Sequence, residues 1–148
     1  MNNSPVDVDA IISKIAITPN LKGIYDKAVL SGMRIMFDKK SHQAMLDQLE
    51  KGGDMAANIA DGVVGLTYLL FQQSNKTLPP QIMVPLALTL TLRAFEFLQQ
   101  SGDPQATPEV LGNAVDQAVH AVLAKFGVAP DQIEQVLGGM KNKIGAQA

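Results

Sequence analysis

The sequence predicts an all-α fold: a single compact bundle of five to six helices around a central apolar αα-hairpin. Three observations lead there. Apolar residues recur at three- and four-residue spacing over most of the chain, and no stretch sustains the strict alternation of a half-buried strand. Hydroxyl–proline pairs and glycines fall between these periodic runs, where helix starts and stops belong. The composition, 47% hydrophobic and 18% charged over 148 residues, is too apolar for a disordered chain and suits one helical domain over 1–148.

The elements follow from this punctuation. Ser4-Pro5, Thr18-Pro19 and Thr107-Pro108 each set a hydroxyl at an N-cap position and a proline at the first helical position. The hydroxyl accepts from an orphan backbone N–H, and proline loses only a donor that had no partner. Ser4, Thr18 and Thr107 are therefore expected helix caps. The first helix is expected over about 5–17, with Val8, Ile11, Ile12 and Ile15 on one face, and Asp7 supporting its start. The second runs over about 19–50 as one helix with Ile24, Ala28, Met33, Met36, Phe37, Ala44, Met45 and Leu49 inward, although Gly23 and Gly32 weaken its first half. Gly52-Gly53 ends it. A third helix runs over 54–73 from an Asp54 cap, the turn is Ser74-Asn75-Lys76-Thr77, and a fourth lies within 79–100. Leu88-Thr89-Leu90-Thr91-Leu92 alternates like a strand, but its neighbours favour helix. A fifth helix, about 108–126, carries Leu111, Val115, Ala118, Val122 and Phe126; a sixth, about 130–144, carries Ile133, Val136, Leu137 and Met140.

The low charge is localised. Residues 1–51 hold seven basic and six acidic groups and 103–148 hold three and five, whereas 52–102 hold only Asp54, Asp61, Lys76, Arg93 and Glu96. The hairpin over 54–101 is thus expected to be the core, covered by amphipathic helices over 5–50 and 107–144. A helix apolar on all sides is either core or membrane, and each arm falls a little short of the ~20 apolar residues of a span. Asp61 and Arg93 sit at similar heights on the two antiparallel arms, which predicts an Asp61–Arg93 ion pair, with Glu96 as the competing partner of Arg93. Pro85 lacks an N–H and so either kinks the fourth helix or starts it. Ala57, Asp61 and Gly65 share one face with Gly62 beside them, and close helix packing is expected at Ala57, Gly62 and Gly65.

Catalytic chemistry finds little support. With no Cys there is no disulfide, thiolate metal site or Cys nucleophile. No Trp and 5% aromatics argue against carbohydrate or base stacking, and the net charge of -2 argues against nucleic acid as the main partner. G-x-S-x-G, G-x-G-x-x-G, P-loop and H-E-x-x-H patterns do not occur. Asp38/His42 and Asp116/His120 are i,i+4 pairs that together would supply four metal ligands, but exposed helix-face hydrogen bonds account for them as well. The carboxylate pairs Asp47/Glu50 and Asp131/Glu134 read as solvated surface. No metal or cofactor is expected. Met33, Met36, Met45 and Met55 read as adaptable core filler. Seven Asn and twelve Gln against twenty-six charged residues give an amide-rich surface, which suits symmetric contacts.

The charge-poor runs Met55–Phe71 and Leu78–Leu98, the amide clusters Gln72-Gln73 and Gln99-Gln100, and the absence of Cys together resemble small helical virion proteins of tailed bacteriophages. The resemblance lies in this profile and carries over no site residue. It implies a structural, connector, internal or ejection-type role in a virus particle. The expected function is therefore a non-enzymatic assembly protein that self-associates and binds other structural proteins. A membrane-active hairpin protein of the holin or ejection kind is the alternative, and a small enzyme the third reading. Met1–Pro5 lacks the basic and apolar regions of a secretory signal. The expected location is the cytoplasm of the producing cell during assembly, then the virion.

Overall fold

The computed structural model describes residues 6–15, 17–38 and 42–126. The protein is all-helical. The described elements are α1 (Val8–Ile12), a 3-10 turn (Pro19–Leu21), α2 (Lys22–Phe37), α3 (His42–Leu49), α4 (Met55–Gln73), α5 (Pro80–Gln100) and α6 (Pro108–Phe126), with no strand among them. The helix expected over 130–144 and the Ser4 cap lie outside the described residues.

The α4–α5 hairpin lies at the centre of the bundle as expected, and α5 is its more deeply buried arm. In α5 every residue from Ile82 to Leu92 is buried, three full turns without an exposed position. That requires cover on all sides: α2 and α4 pack on α5, α6 lies against both α4 and α5, and α1 closes the far end. The alternating Leu-Thr stretch is inside this helix. Its threonines tolerate burial because Thr91 Oγ1 donates to the Ala87 carbonyl at 2.7 Å, as Thr67 does to Val63 at 2.8 Å in α4. Unlike α5, α4 has one buried side, and Asp61, Gly65, Tyr68 and Leu69 stand exposed on its other. The role expected of α4 as second core helix is shared with α6, whose Leu111, Ala114, Val115, Ala118, Val119 and Val122 have no exposure at all. Its alanines let the backbone approach closely.

Two helix limits differ from expectation. The first helix spans only Val8–Ile12, and its N-cap is Asp7, whose carboxylate accepts from the Ala10 N–H at 3.1 Å. The helix expected over 19–50 is two helices, with Asp38 extended at ψ 142° after α2. An unbroken helix of that length would reach about 48 Å, against about 32 Å for α5, and would overhang the bundle. The break lets α2 lie on α5 and α3 turn onto α4. Thr18 occupies the N-cap of the 3-10 turn without a side-chain hydrogen bond, and Pro19 follows as expected. Thr107 caps α6: its Oγ1 accepts from Val110 N at 3.2 Å.

Pro85 lies inside α5, which starts at Pro80. The start at 85 is therefore excluded. The carbonyl left without its intrahelical donor is that of Gln81, an exposed residue in the first turn. Gly52 and Gly53, at φ 91° and 81°, make the positive-φ passage between α3 and α4 that their sequence position required.

Amide side chains fasten these pieces from inside. Gln99 accepts from Val6 N at 2.7 Å and donates to Val6 O at 3.1 Å, pinning the chain before α1 to the end of α5. Gln48 Nε2 donates to the Asn58 carbonyl at 3.1 Å, and Asn58 Nδ2 to the Gly52 carbonyl at 3.0 Å, fastening α3 and its loop to α4.

The helix glycines divide by what surrounds them. A Cβ on Gly32 would stand 2.7 Å from Leu90 Cδ2 and 3.3 Å from Leu70 Cδ1, so α2 meets α4 and α5 at this point. A Cβ on Gly62 would stand 3.0 Å from Gln48 Cγ, whereas one on Gly65 would meet nothing within 4 Å. Ala57 is half-buried. Close packing thus holds at Gly62, against α3, and is absent at Gly65. Gly32→Val should destabilise by about 1–3 kcal/mol through overpacking, and Gly65→Ala should stabilise by about 1 kcal/mol through helix propensity; urea unfolding of both variants checks the contrast.

Candidate functional site

Arg93 leaves α5 one residue beyond the fully buried run. Its Nη1 lies 2.9 Å from Asp9 of α1 and 2.9 Å from Glu96, one turn on. Asp61 is on the outward side of α4 and takes no part. Similar height on two antiparallel helices places two residues at one level but not on facing sides, and here Asp61 faces away. The competing partner, Glu96, holds the cation together with an acid 84 residues earlier in the chain. Burial acts to lower the Arg93 pKa, but hydrogen bonds and charge from Glu96 and Asp9 outweigh it, so the guanidinium is held above its ordinary value.

One turn earlier on α5, Thr89 Oγ1 hydrogen-bonds the Tyr25 hydroxyl of α2 in the interior. Burial raises the Tyr25 pKa above its usual value near 10, and the Thr89 hydrogen bond and Lys22 oppose that only in part. Sequence reasoning missed this contact. Its only trace was a threonine inside an otherwise apolar helix and a tyrosine on the apolar side of α2.

A groove of about 380 Å³ lies between α2 and the α4–α5 turn. Ile24, Lys27 and Ser31 line one wall, and Leu70, Gln73 and Leu78 the other. It contains no histidine or carboxylate. The Ser74 hydroxyl at its floor is committed to the turn, donating to Phe71 O at 2.7 Å and accepting from Thr77 N at 3.2 Å. What remains is apolar surface with one cation, an amide and a hydroxyl.

The metal reading gains nothing among the described residues. No group of three or more His, Asp and Glu side chains converges there. His120 Nδ1 lies 2.7 Å from the Asp116 backbone carbonyl. The end of α2 at Phe37 removes the shared helix face expected for Asp38 and His42. Asp47 and Glu50 are both exposed, with Asp47 accepting from Gln43 at 2.9 Å; Asp131 and Glu134 lie outside the described residues. Met36 and Met55 are buried, and Met33 and Met45 pack half-buried against the same core.

The surface feature that composition did not locate is apolar. Ile24, Leu30 and Phe37 on α2, and Tyr68 and Leu69 on α4, are large side chains exposed by 39–52%. Around Tyr68 the apolar surface continues onto α6: Phe126 stacks edge-on against Phe71 at 5.1 Å, and Lys125 Nζ lies 4.4 Å above the Tyr68 ring. No protein-family model, curated protein or solved structure matches the chain.

Two measurements follow. Asp61→Asn should leave stability within about 0.5 kcal/mol of wild type, as at an ordinary surface site, whereas Arg93→Met, which strands the half-buried Glu96, should cost about 1–2 kcal/mol in chemical denaturation. Because the folded state holds the Tyr25 proton more tightly than the unfolded chain, its contribution is complete below the unfolded pKa and is lost as pH rises through the folded value. Stability should therefore fall above about pH 10, and Tyr25→Phe should lessen that fall; thermal midpoints measured from pH 8 to 11 decide it.

Proposed function

We propose that the chain is a non-enzymatic structural or assembly protein that self-associates and works as a component of a bacteriophage virion, as a connector, internal or ejection-type protein. The observation that carries the self-association is the exposed apolar surface on α2 and α4. Five large apolar side chains stay in contact with water, although the interior already buries α5 on every side, and a second surface would remove them from it. The reading as a virion component is supported by the sequence profile: a charge-poor middle, an amide-rich composition and no Cys. Its partners are further copies of itself and other structural proteins, and its place is the cytoplasm of the producing cell and then the particle.

One observation favours the membrane-active alternative. Among the described helices, α5 is long and apolar enough to cross a bilayer, with a mean hydropathy of 1.3 over its best 18-residue window. The same window is 78% buried inside the bundle, and a core helix has that composition for reasons unconnected with lipid. Insertion would require α5 to exchange α2, α4 and α6 for acyl chains.

Light scattering coupled to size-exclusion chromatography should give a mass that rises above one chain as concentration increases. A single-chain mass at every concentration would remove the assembly reading. Flotation with anionic liposomes separates the alternatives, since co-flotation of the folded protein would favour membrane activity. Mass spectrometry of purified phage particles tests the virion assignment directly.

A further inference from the structure

We infer that two copies pair through the outward face of α2, helix against antiparallel helix, about a two-fold axis beside Leu30; this rests on the self-association proposed above and names its surface. The inward face of α2 is settled, since Tyr25, Ala28, Gly32 and Met36 are buried. The opposite face holds Gly23, Asp26, Lys27, Leu30, Arg34 and Phe37, all exposed. At about 100° per residue, these six fall within about 60° of the Leu30 direction on either side. They form one stripe, with the most exposed of the large apolar residues, Leu30 at 52%, at its middle.

The occupant is read from the order of residues along that stripe. A two-fold axis beside residue 30 sets each position a given distance before it against the position equally far after it on the other copy, and every such contact is made twice. Leu30 then meets the partner's Leu30. Asp26 meets the partner's Arg34, four positions from the axis on the other side. Gly23 meets the partner's Phe37, seven positions away. A Cβ at Gly23 would have nothing within 4 Å, so the glycine leaves open space where an aromatic ring arrives. Phe37 touches Phe97 on its inner side, ring centroids 5.7 Å apart, and remains 39% exposed on its outer side.

Charge selects the direction. A parallel pair would oppose Asp26 to Asp26 and Arg34 to Arg34, and the antiparallel pair opposes unlike charges at both places. Within one copy, Asp26 and Arg34 are about 12 Å apart along the helix and do not pair with each other. Asp26 does contact Lys22 at 2.9 Å, but both side chains are more than half exposed, and such a contact yields or is shared at little cost. One helix pair of this length buries an area at the low end of specific interfaces. The dimer is therefore a weak, reversible contact, suited to an assembling subunit.

Sedimentation equilibrium at low ionic strength tests this with two single charge reversals on exposed residues, checked for native helicity by circular dichroism. Asp26→Arg and Arg34→Asp, each alone, should raise the dimer dissociation constant about tenfold or more, because each places like charges together twice. An equimolar mixture of the two variants should recover wild-type affinity, since the mixed dimer restores unlike charges at both contacts. In a parallel arrangement each reversal alone would leave the dissociation constant unchanged, because like charges already face each other there in the wild type, and a contact through a different surface would not feel either reversal. A wild-type dimer indifferent to either reversal, or a mixture that stays dissociated, overturns the α2 pairing and leaves self-association standing. A wild-type protein that remains a single chain throughout overturns both.

Discussion

Everything else in this fold answers to the complete burial of α5 between Ile82 and Leu92. A helix without a polar side satisfies its own backbone but leaves apolar surface in every direction, and water must be excluded all the way round. A single partner helix cannot do that. The bundle therefore needs α4 and α6 together, α2 across from them and α1 at the end, and the remaining polar contacts act at the margins of that enclosure. Arg93 lies one residue past the buried run, where its charge reaches Asp9 and Glu96 at the edge of the interior. Tyr25 brings a deep polar contact from α2, and Thr89 is placed to meet it.

Polar side chains here are used sparingly and mostly on the backbone. Gln99 and Asn58 hold chain segments that have no regular structure of their own, before α1 and between α3 and α4, and Gln48 ties α3 to α4. Amides suit this because one side chain both donates and accepts without the desolvation cost of a charge. The amide-rich composition, which from sequence alone suggested a surface for symmetric contacts, thus has an internal use as well.

The helices that were legible in the sequence are those whose ends carry their own chemistry. Asp54 caps α4 as expected, Thr107-Pro108 opens α6, and Gly102 ends α5 at positive φ. Each signal acts within a few residues and so can be seen without the fold. The α2–α3 break was not legible: periodicity continues through Met33, Met36 and Met45, and the limit on helix length comes from the size of the bundle. The Asp61–Arg93 expectation failed for a related reason. A helical repeat tells which residues share a face, but the direction of that face depends on neighbours far away in the chain; the true partner, Asp9, is 84 residues from Arg93. Gly32 shows the same limit. Counted by propensity it is a weakness, and only the position of Leu90 shows that it is where three helices meet.

The place of α5 in the chain order has a consequence for synthesis. Its cover comes partly from segments made before it and partly from α6, made after it. When Gln100 leaves the ribosome, the most deeply buried helix lacks one wall, and it gains that wall only when the chain has been extended to Phe126. At translation rates of about 5–20 residues per second, that interval lasts on the order of one to five seconds, long compared with the microseconds in which a helix forms. For that time the nascent chain presents an adhesive, nearly uncharged surface. A chaperone, or a neighbouring chain emerging from the same message, meets the molecule first in that open form.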